Sequence, residues 1–125
     1  MKLHLNSGDQ KYMIRSCRQL KHGYEIGIGE EYYNSSLILT PENIEMWGVR
    51  EVSDLTAEHF EALSRFDTKV LILGTGQRTV FPDPAICQAV VNSGIGMEVM
   101  NTAAACRTYN IIRSDDRNVV AALIL

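Results

Sequence analysis

Cysteine is scarce in this sequence, and long apolar runs are missing from it. The three cysteines, Cys17, Cys87 and Cys106, are far apart and form no Cys-x-x-Cys or Cys/His ligand spacing, so neither a disulfide framework nor a zinc site is indicated. No apolar run approaches the roughly 20 residues that span a bilayer, and the N-terminal residues lack the apolar segment of a secretory signal. We expect a cytoplasmic protein with reduced thiols and without membrane insertion.

An excess of positive charge is also absent. The 12 Lys and Arg residues are outnumbered by 15 Asp and Glu residues, which gives a net charge of −3 at pH 7. Broad surfaces for nucleic acids need a positive excess to displace counterions from phosphates. We therefore expect no nucleic-acid partner, although a local basic site stays open. The length of 125 residues suits a single α/β domain, residues 1–125, that folds without a metal or cofactor.

The N-terminal third of the chain predicts β-strands. Residues 12–18 are rich in strand formers, and residues 24–28 alternate apolar with polar or small residues, which is the period of a half-buried strand. Further strands are predicted at 35–39 and 44–47. Short connections between successive strands favour antiparallel pairing, so these strands should form a second, smaller sheet or an extension of a larger one.

The rest of the chain alternates helices with strands. A helix is predicted at 55–66, capped by Thr56, and later helices begin at Asp83-Pro84 and at Asn101 or Thr102. Apolar runs indicate strands of a central sheet between and after these helices, at 70–73, 97–100 and 119–125. The order strand, helix, strand, helix, strand is that of a βαβαβ unit.

A glycine-rich loop follows the first strand of this unit and is the main candidate site. Gly74, Thr75 and Gly76 come directly after residues 70–73. A right-handed crossover makes strands 70–73 and 97–100 parallel, so this loop and the next helix start emerge at the sheet edge where open α/β sheets bind ligands. The loop is interpreted either as a tight turn or as a backbone cradle for an anion.

The dinucleotide interpretation of this loop has little support. The fingerprint requires a third glycine, where this chain has Thr79, and a helix that opens at once, whereas the next helix signal comes at Asp83. Arg78 and Arg107 would instead give a small-anion site its positive charge. The alternative for both arginines is an ordinary surface ion pair.

Two more side chains belong to the helix that follows Asn101. Cys106 lies near the helix N-terminus and beside Arg107, which predicts a lowered thiol pKa and a reactive thiol. The alternative is a buried, inert cysteine. Asn110 is expected either to bond to the loop 74–79 and fix its shape or to be exposed.

Several segments together resemble a known family. They are LILGTG, the helix bounded by Pro84, the run GIGMEVMNTAAACRTYN and the arginine before VVAALIL. The sequence is similar to a family of small domains of unknown function that includes a mitochondrial complex I assembly factor and stand-alone bacterial and archaeal members. The resemblance covers nearly the whole chain and is most specific at Gly74-Thr75-Gly76 and Thr102-x-x-Ala105-x-x-x-Tyr109-Asn110.

The resemblance implies a fold but brings no catalytic activity with it. Members have three layers, with a central mixed sheet and a smaller added β layer, and we expect that fold here. Many members carry Glu-Gly before the arginine at Arg117, where this chain has Asp115-Asp116. This chain therefore lacks the glutamate and the flexible glycine that those members carry at that place.

No acid/base pair, metal cluster or nucleophile–base spacing stands out in the sequence. We therefore expect a non-enzymatic binding or assembly module that contacts a protein partner. The alternative is a small-molecule or anion-binding domain, at most a weak enzyme, that uses the loop 74–79 and the helix start at Thr102, and a third hypothesis is thiol redox chemistry. The candidate ligand-binding residues are Gly74, Thr75, Gly76, Arg78, Thr79, Thr102, Cys106, Arg107 and Asn110.

Overall fold

Two sheets organise residues 12–125, the part of the chain that the computed structural model describes. The smaller sheet is an antiparallel meander of β1 (Ile14–Leu20), β2 (Gly23–Ile28) and β3 (Glu31–Tyr33). Gly23 and Gly29 have φ values of +112° and +62°, a left-handed backbone that glycine adopts without steric cost. They make the two tight turns, so the predicted N-terminal hairpins are confirmed.

The larger sheet has five strands, β4 (Leu37–Leu39), β5 (Ile44–Met46), β6 (Val70–Gly74), β7 (Gly96–Met100) and β8 (Val120–Leu123). They lie in the order β5-β4-β8-β6-β7. The central β8 is parallel to β6 and antiparallel to β4, so the sheet is mixed, as expected. The N-terminal strands divide between the two sheets, because β4 is buried along its whole length and pairs on both edges, with β5 and β8.

Three helices connect these strands, and local capping explains where each begins. In α1 (Ala57–Leu63) the His59 Nδ1 accepts the Thr56 N–H at 3.0 Å, and the helix ends three residues earlier than the predicted Phe66. A 3₁₀ turn at Pro84–Cys87, capped by Asp83, precedes α2 (Gln88–Ser93). Asn101 Oδ1 accepts the Ala104 N–H at 2.9 Å and caps α3 (Thr102–Ser114).

The larger sheet is covered on both faces, which gives three layers. On one face, α1 and α2 pack Phe60, Leu63 and Val90 against the sheet. On the other face, α3 and the small sheet share one apolar cluster with the central strands. The helix α3 therefore contacts both sheets, and this position decides what its polar side chains reach. The expected three-layer α/β fold with its βαβαβ unit is confirmed.

Candidate functional site

The carboxyl ends of β6, β7 and β8 are joined to one another at one edge of the larger sheet. The Thr75 N–H donates to the Met100 carbonyl oxygen at 2.9 Å, and the Ile124 N–H donates to the Gly74 carbonyl oxygen at 2.9 Å. The loop after β6 and the start of α3 thus meet at a single edge, as the right-handed crossover predicts.

Gly74 is required by packing rather than by the approach of a ligand. A Cβ at this position would lie 3.0 Å from the Ala105 Cβ and 3.0 Å from the Leu123 Cδ2. Carbon atoms at optimal contact are about 3.5–4.0 Å apart, so a methyl group would push α3 away from β6. The absence of a side chain lets the helix sit directly on the strand.

Gly76 and Thr102 are bonded to each other in both directions. The Gly76 N–H donates to the Thr102 Oγ1 at 2.8 Å, and the Thr102 N–H donates to the Gly76 carbonyl oxygen at 2.8 Å. The Thr102 hydroxyl donates in turn to the Ile124 carbonyl oxygen at 2.7 Å, and the residue is fully buried. The Gly76 amide is therefore already used inside the protein, as is the first free N–H of α3.

The Thr75 hydroxyl closes the rest of the loop on itself. It donates to the Arg78 carbonyl oxygen at 2.5 Å and accepts the Val80 N–H at 3.2 Å. These bonds hold residues 75–80 in a compact turn. The side chains of Arg78 and Thr79 are exposed.

A cleft of about 340 Å³ lies between this turn and a short 3₁₀ helix at Val52–Asp54. Arg78 and Glu51 bring opposite charges to its wall, and Val80, 44% exposed, adds an apolar side chain. Next to Val80 in the chain, Phe81 is 73% exposed. The residues that line the cleft are Glu51, Val52, Ser53, Thr75, Gln77, Arg78 and Val80.

Two apolar side chains of this surface were not predicted from the sequence. Val80 and Phe81 stand between Gly76 and the helix signal at Asp83, in a stretch that carries no strand or helix pattern. Apolar side chains in a segment without a regular period have no sheet or helix face on which to be buried. That was the signal available in the sequence.

A larger cleft of about 670 Å³ contains none of the predicted site residues. It combines the aromatic Trp47 with the basic side chains of His22 and Arg50. It lies near the same sheet edge, because Leu125, which follows β8, lines it together with Ser36. The remaining lining residues are Asn34, Ser35, Gly48 and Val49.

Cys106 faces the interior, as the interpretation of a buried, inert cysteine expects, and the lowered thiol pKa of the other interpretation is not found. The residue is buried, and this burial is the main cause that raises the pKa of the thiol. The neighbouring Cys17 raises it further, while Arg107 lowers it by less. Burial removes the hydration that stabilises the thiolate, and this loss outweighs the stabilisation of the thiolate by one nearby surface arginine.

Asn110 bonds to the small sheet and not to the loop 74–79. Its Oδ1 accepts the Ile14 N–H at 2.9 Å, and its Nδ2 donates to the Ile14 carbonyl oxygen at 2.6 Å. Asn110 lies eight residues after Thr102, roughly 12 Å along the helix axis, so the expected bond to the loop is wrong. Its side chain pairs with β1 as a neighbouring strand would.

The structure thus divides the predicted site residues between two places. Six lie at the sheet edge: Gly74, Thr75, Gly76, Arg78, Thr79 and Thr102. The other three lie further along α3, where Cys106 and Asn110 face the small sheet and Arg107 is exposed. Only Thr75 and Arg78 line the cleft beside the loop. Ligand binding by these residues stays a prediction.

The described region contains neither a metal-ligand cluster nor a membrane-spanning helix. Within residues 12–125, no group of three or more His, Cys, Asp or Glu side chains could hold a metal ion. In the same region, no helix is both long enough and apolar enough to span a bilayer. The fold and the edge define a class: a small three-layer α/β domain whose glycine-rich loop is closed by internal hydrogen bonds.

The particular family follows from comparison with known proteins. The family described as "Protein of unknown function (DUF498/DUF598)" matches residues 20–124, and the chain belongs to it. A solution structure of a Xanthomonas campestris protein superimposes with a TM-score of 0.77 at 33% sequence identity. The superposition covers 99% of this chain and 92% of the Xanthomonas campestris chain.

Two relatives carry names that describe a role or a location. "NADH dehydrogenase [ubiquinone] 1 alpha subcomplex assembly factor 3" from Mus musculus is 33% identical over 89 residues, which are 70% of this chain and 48% of the relative. This chain therefore spans about half the length of the assembly factors that it matches. The "13 kDa major membrane protein" of Francisella tularensis is 24% identical over 107 residues, 84% of this chain and 85% of that protein.

Proposed function

We propose that this domain is a protein-binding module without catalytic activity that assists the assembly of a larger complex. The observation that carries the proposal is its 33% identity to a relative named as an assembly factor. We propose further that the partner docks on the turn 77–81 and the adjoining cleft, and that this happens in the cytoplasm.

The first support is a rigid turn that presents apolar side chains to solvent. The Thr75 hydroxyl is bonded to both Arg78 and Val80, and Gly76 is bonded to the buried Thr102. A pre-organised loop loses little conformational freedom on binding. The exposed Phe81 is of the aromatic type that is enriched at the centres of protein interfaces.

The second support is the polar rim of the same surface. Arg78 and Glu51 line the cleft beside Val80, and neither forms an ion pair with another residue of the part that the structure describes. An apolar centre with charged groups around it is the usual anatomy of a protein interface. Charges of both signs at the rim favour a specific orientation of the partner.

The cleft lining offers little to a reaction. Glu51 is its only carboxylate, and neither an imidazole nor a thiol is among its lining residues. Nucleophilic catalysis needs a nucleophile with a base within hydrogen-bonding reach. This composition suits recognition better than covalent chemistry.

Affinity capture from the native host tests this proposal. The tagged full chain should enrich a specific protein, and Phe81→Ser should reduce that enrichment at least tenfold, because buried aromatic anchors contribute roughly 2 kcal/mol or more. Val91→Ser is the matched control, since Val91 is 60% exposed on α2 and should leave capture unchanged. Equal capture by all three chains, or no specific protein at all, would contradict the proposal.

A second candidate function is the binding of a small anion at the same cleft. The observation that favours it is the polar lining around Arg78, namely Ser53, Thr75 and Gln77. The Gly76 amide is already bonded to Thr102, so an anion would be held by other groups of the loop, with Arg78 supplying the positive charge. Titration with phosphate, nucleotides and carboxylates should shift the backbone amide signals of residues 74–79. Unchanged signals with every one of them would exclude this function.

A further inference from the structure

Two cysteines from distant parts of the chain meet where α3 packs on β1. Asn110 is bonded through its side chain to both backbone polar groups of Ile14, which fixes α3 on this strand. Cys106 lies four residues earlier, and residues four apart share one helix face. Cys106 therefore faces β1 as well, and its neighbour there is Cys17, which follows Ile14 in the strand.

A β-bulge decides which residue of β1 meets Cys106. The pairing of β1 with β2 shifts between Ile14 and Ser16, so one extra residue is inserted there. As a result Cys17 pairs with Ile26, and residues directly opposite each other share a sheet face. Ile26 belongs to the same apolar cluster as Cys106. Without the bulge, Ser16 would occupy this place.

The two thiols are neighbours but differ in their access to solvent. Cys17 is close enough to Cys106 to act electrostatically on its thiol. Cys17 is exposed, whereas Cys106 is buried. An oxidant in solution therefore meets Cys17 first, whereas burial shields the Cys106 thiol from it.

We propose that Cys17 and Cys106 are an oxidation site for hydrogen peroxide, at which a disulfide joins β1 to α3. The Cys17 sulfur attacks a peroxide oxygen and the O–O bond breaks, which yields a sulfenic acid and one water. The Cys106 sulfur then attacks the Cys17 sulfur, the S–O bond breaks, and the departing hydroxide takes the Cys106 proton to form a second water. The thiols lose two electrons, and peroxide gains them.

The disulfide would lock the small sheet onto the rest of the domain. It would connect residues 17 and 106 in addition to the bonds between Asn110 and Ile14. A crosslink between residues so far apart restricts the unfolded chain strongly. We expect the thermal midpoint to rise by about 5–15 °C in a domain of this size.

The test is peroxide treatment of the full chain, followed by intact mass, peptide mapping and thermal unfolding. We expect the loss of two hydrogens, a peptide that links Cys17 to Cys106, and a raised thermal midpoint. Reduction should bring the midpoint back to its original value. Cys17→Ser should abolish all three. Cys87→Ser is the matched control and should retain them, because Cys87 is buried in the cluster on the other face of the larger sheet.

The inference is overturned if the crosslinked peptide does not form. That includes the case in which Cys17 is converted to sulfinic acid or to an intermolecular disulfide while Cys106 can still be alkylated after unfolding. The exposed Cys17→Ser variant does not disturb the core, so the test stands even if a substitution at Cys106 prevents folding. A midpoint that rises equally in Cys17→Ser would also refute the proposed crosslink.

Discussion

The two bonds between Asn110 and Ile14 tie α3 to the small sheet, and Asn110→Ala would remove both. The variant leaves one N–H and one carbonyl oxygen of a part-buried strand without partners. Each such group costs about 1–3 kcal/mol when fully buried, and water can replace some of the loss here. We therefore expect the free energy of unfolding to fall by about 2–3 kcal/mol.

This loss converts into a measurable change of the thermal midpoint. Unfolding entropy near the midpoint is about 2.1 cal/mol/K per residue, or roughly 0.26 kcal/mol/K for 125 residues. The midpoint of Asn110→Ala should thus fall by roughly 8–12 °C in a circular dichroism melt. Hydrogen exchange should be accelerated most in β1, because this strand loses its neighbour.

An exposed asparagine provides the control for this experiment. Asn118 donates from its Nδ2 to the Asp67 carbonyl oxygen at 2.5 Å in an exposed position, so Asn118→Ala should cost less than about 1 kcal/mol. The reasoning is refuted if the two variants lose the same stability. It is also refuted if exchange in Asn110→Ala is accelerated uniformly rather than in β1.

Three further predictions concern the sheet edge and pH. Thr102→Val removes the hydroxyl that is bonded to Gly76 and to Ile124, and should lower the free energy of unfolding in urea by about 2–4 kcal/mol, while Thr102→Ser should restore most of it. Gly74→Ala should cost about 1–3 kcal/mol in the same assay, because its Cβ would overlap α3. Burial raises the pKa of both Cys106 and Tyr109, so the unfolded chain loses these protons first. The contribution of these two groups to the free energy of unfolding should be fully present below the ordinary thiol pKa of 9.0, and the free energy of unfolding in urea should fall as the pH rises above that value. A variant with Cys106→Ala and Tyr109→Phe should show a smaller fall.

The sequence predicts the C-terminal architecture well because its signals are local. Asp83 and Pro84 mark a helix start, and Gly94, with a φ of +87°, ends the helix. The uninterrupted apolar character of residues 70–73 predicts a strand covered on both faces, as β6 is. Each of these features depends on neighbours within a few residues.

Long-range partners were not predictable in the same way. Helical spacing shows which face of α3 carries Asn110, but it does not show that this face meets Ile14, which is 96 residues away in the sequence. The two interpretations of Cys106, reactive or buried, stayed open for the same reason, since its burial depends on the small sheet. A periodic pattern defines a face and leaves the neighbour of that face undetermined.

The place of β8 in the larger sheet has a consequence for synthesis on the ribosome. This strand lies between β4 and β6 and follows both of them in the chain. Until it emerges, the two halves of the sheet have no common partner, and each presents an open strand edge of the kind that promotes aggregation. The nascent chain therefore leaves these edges open to pairing with other chains until its central strand is made.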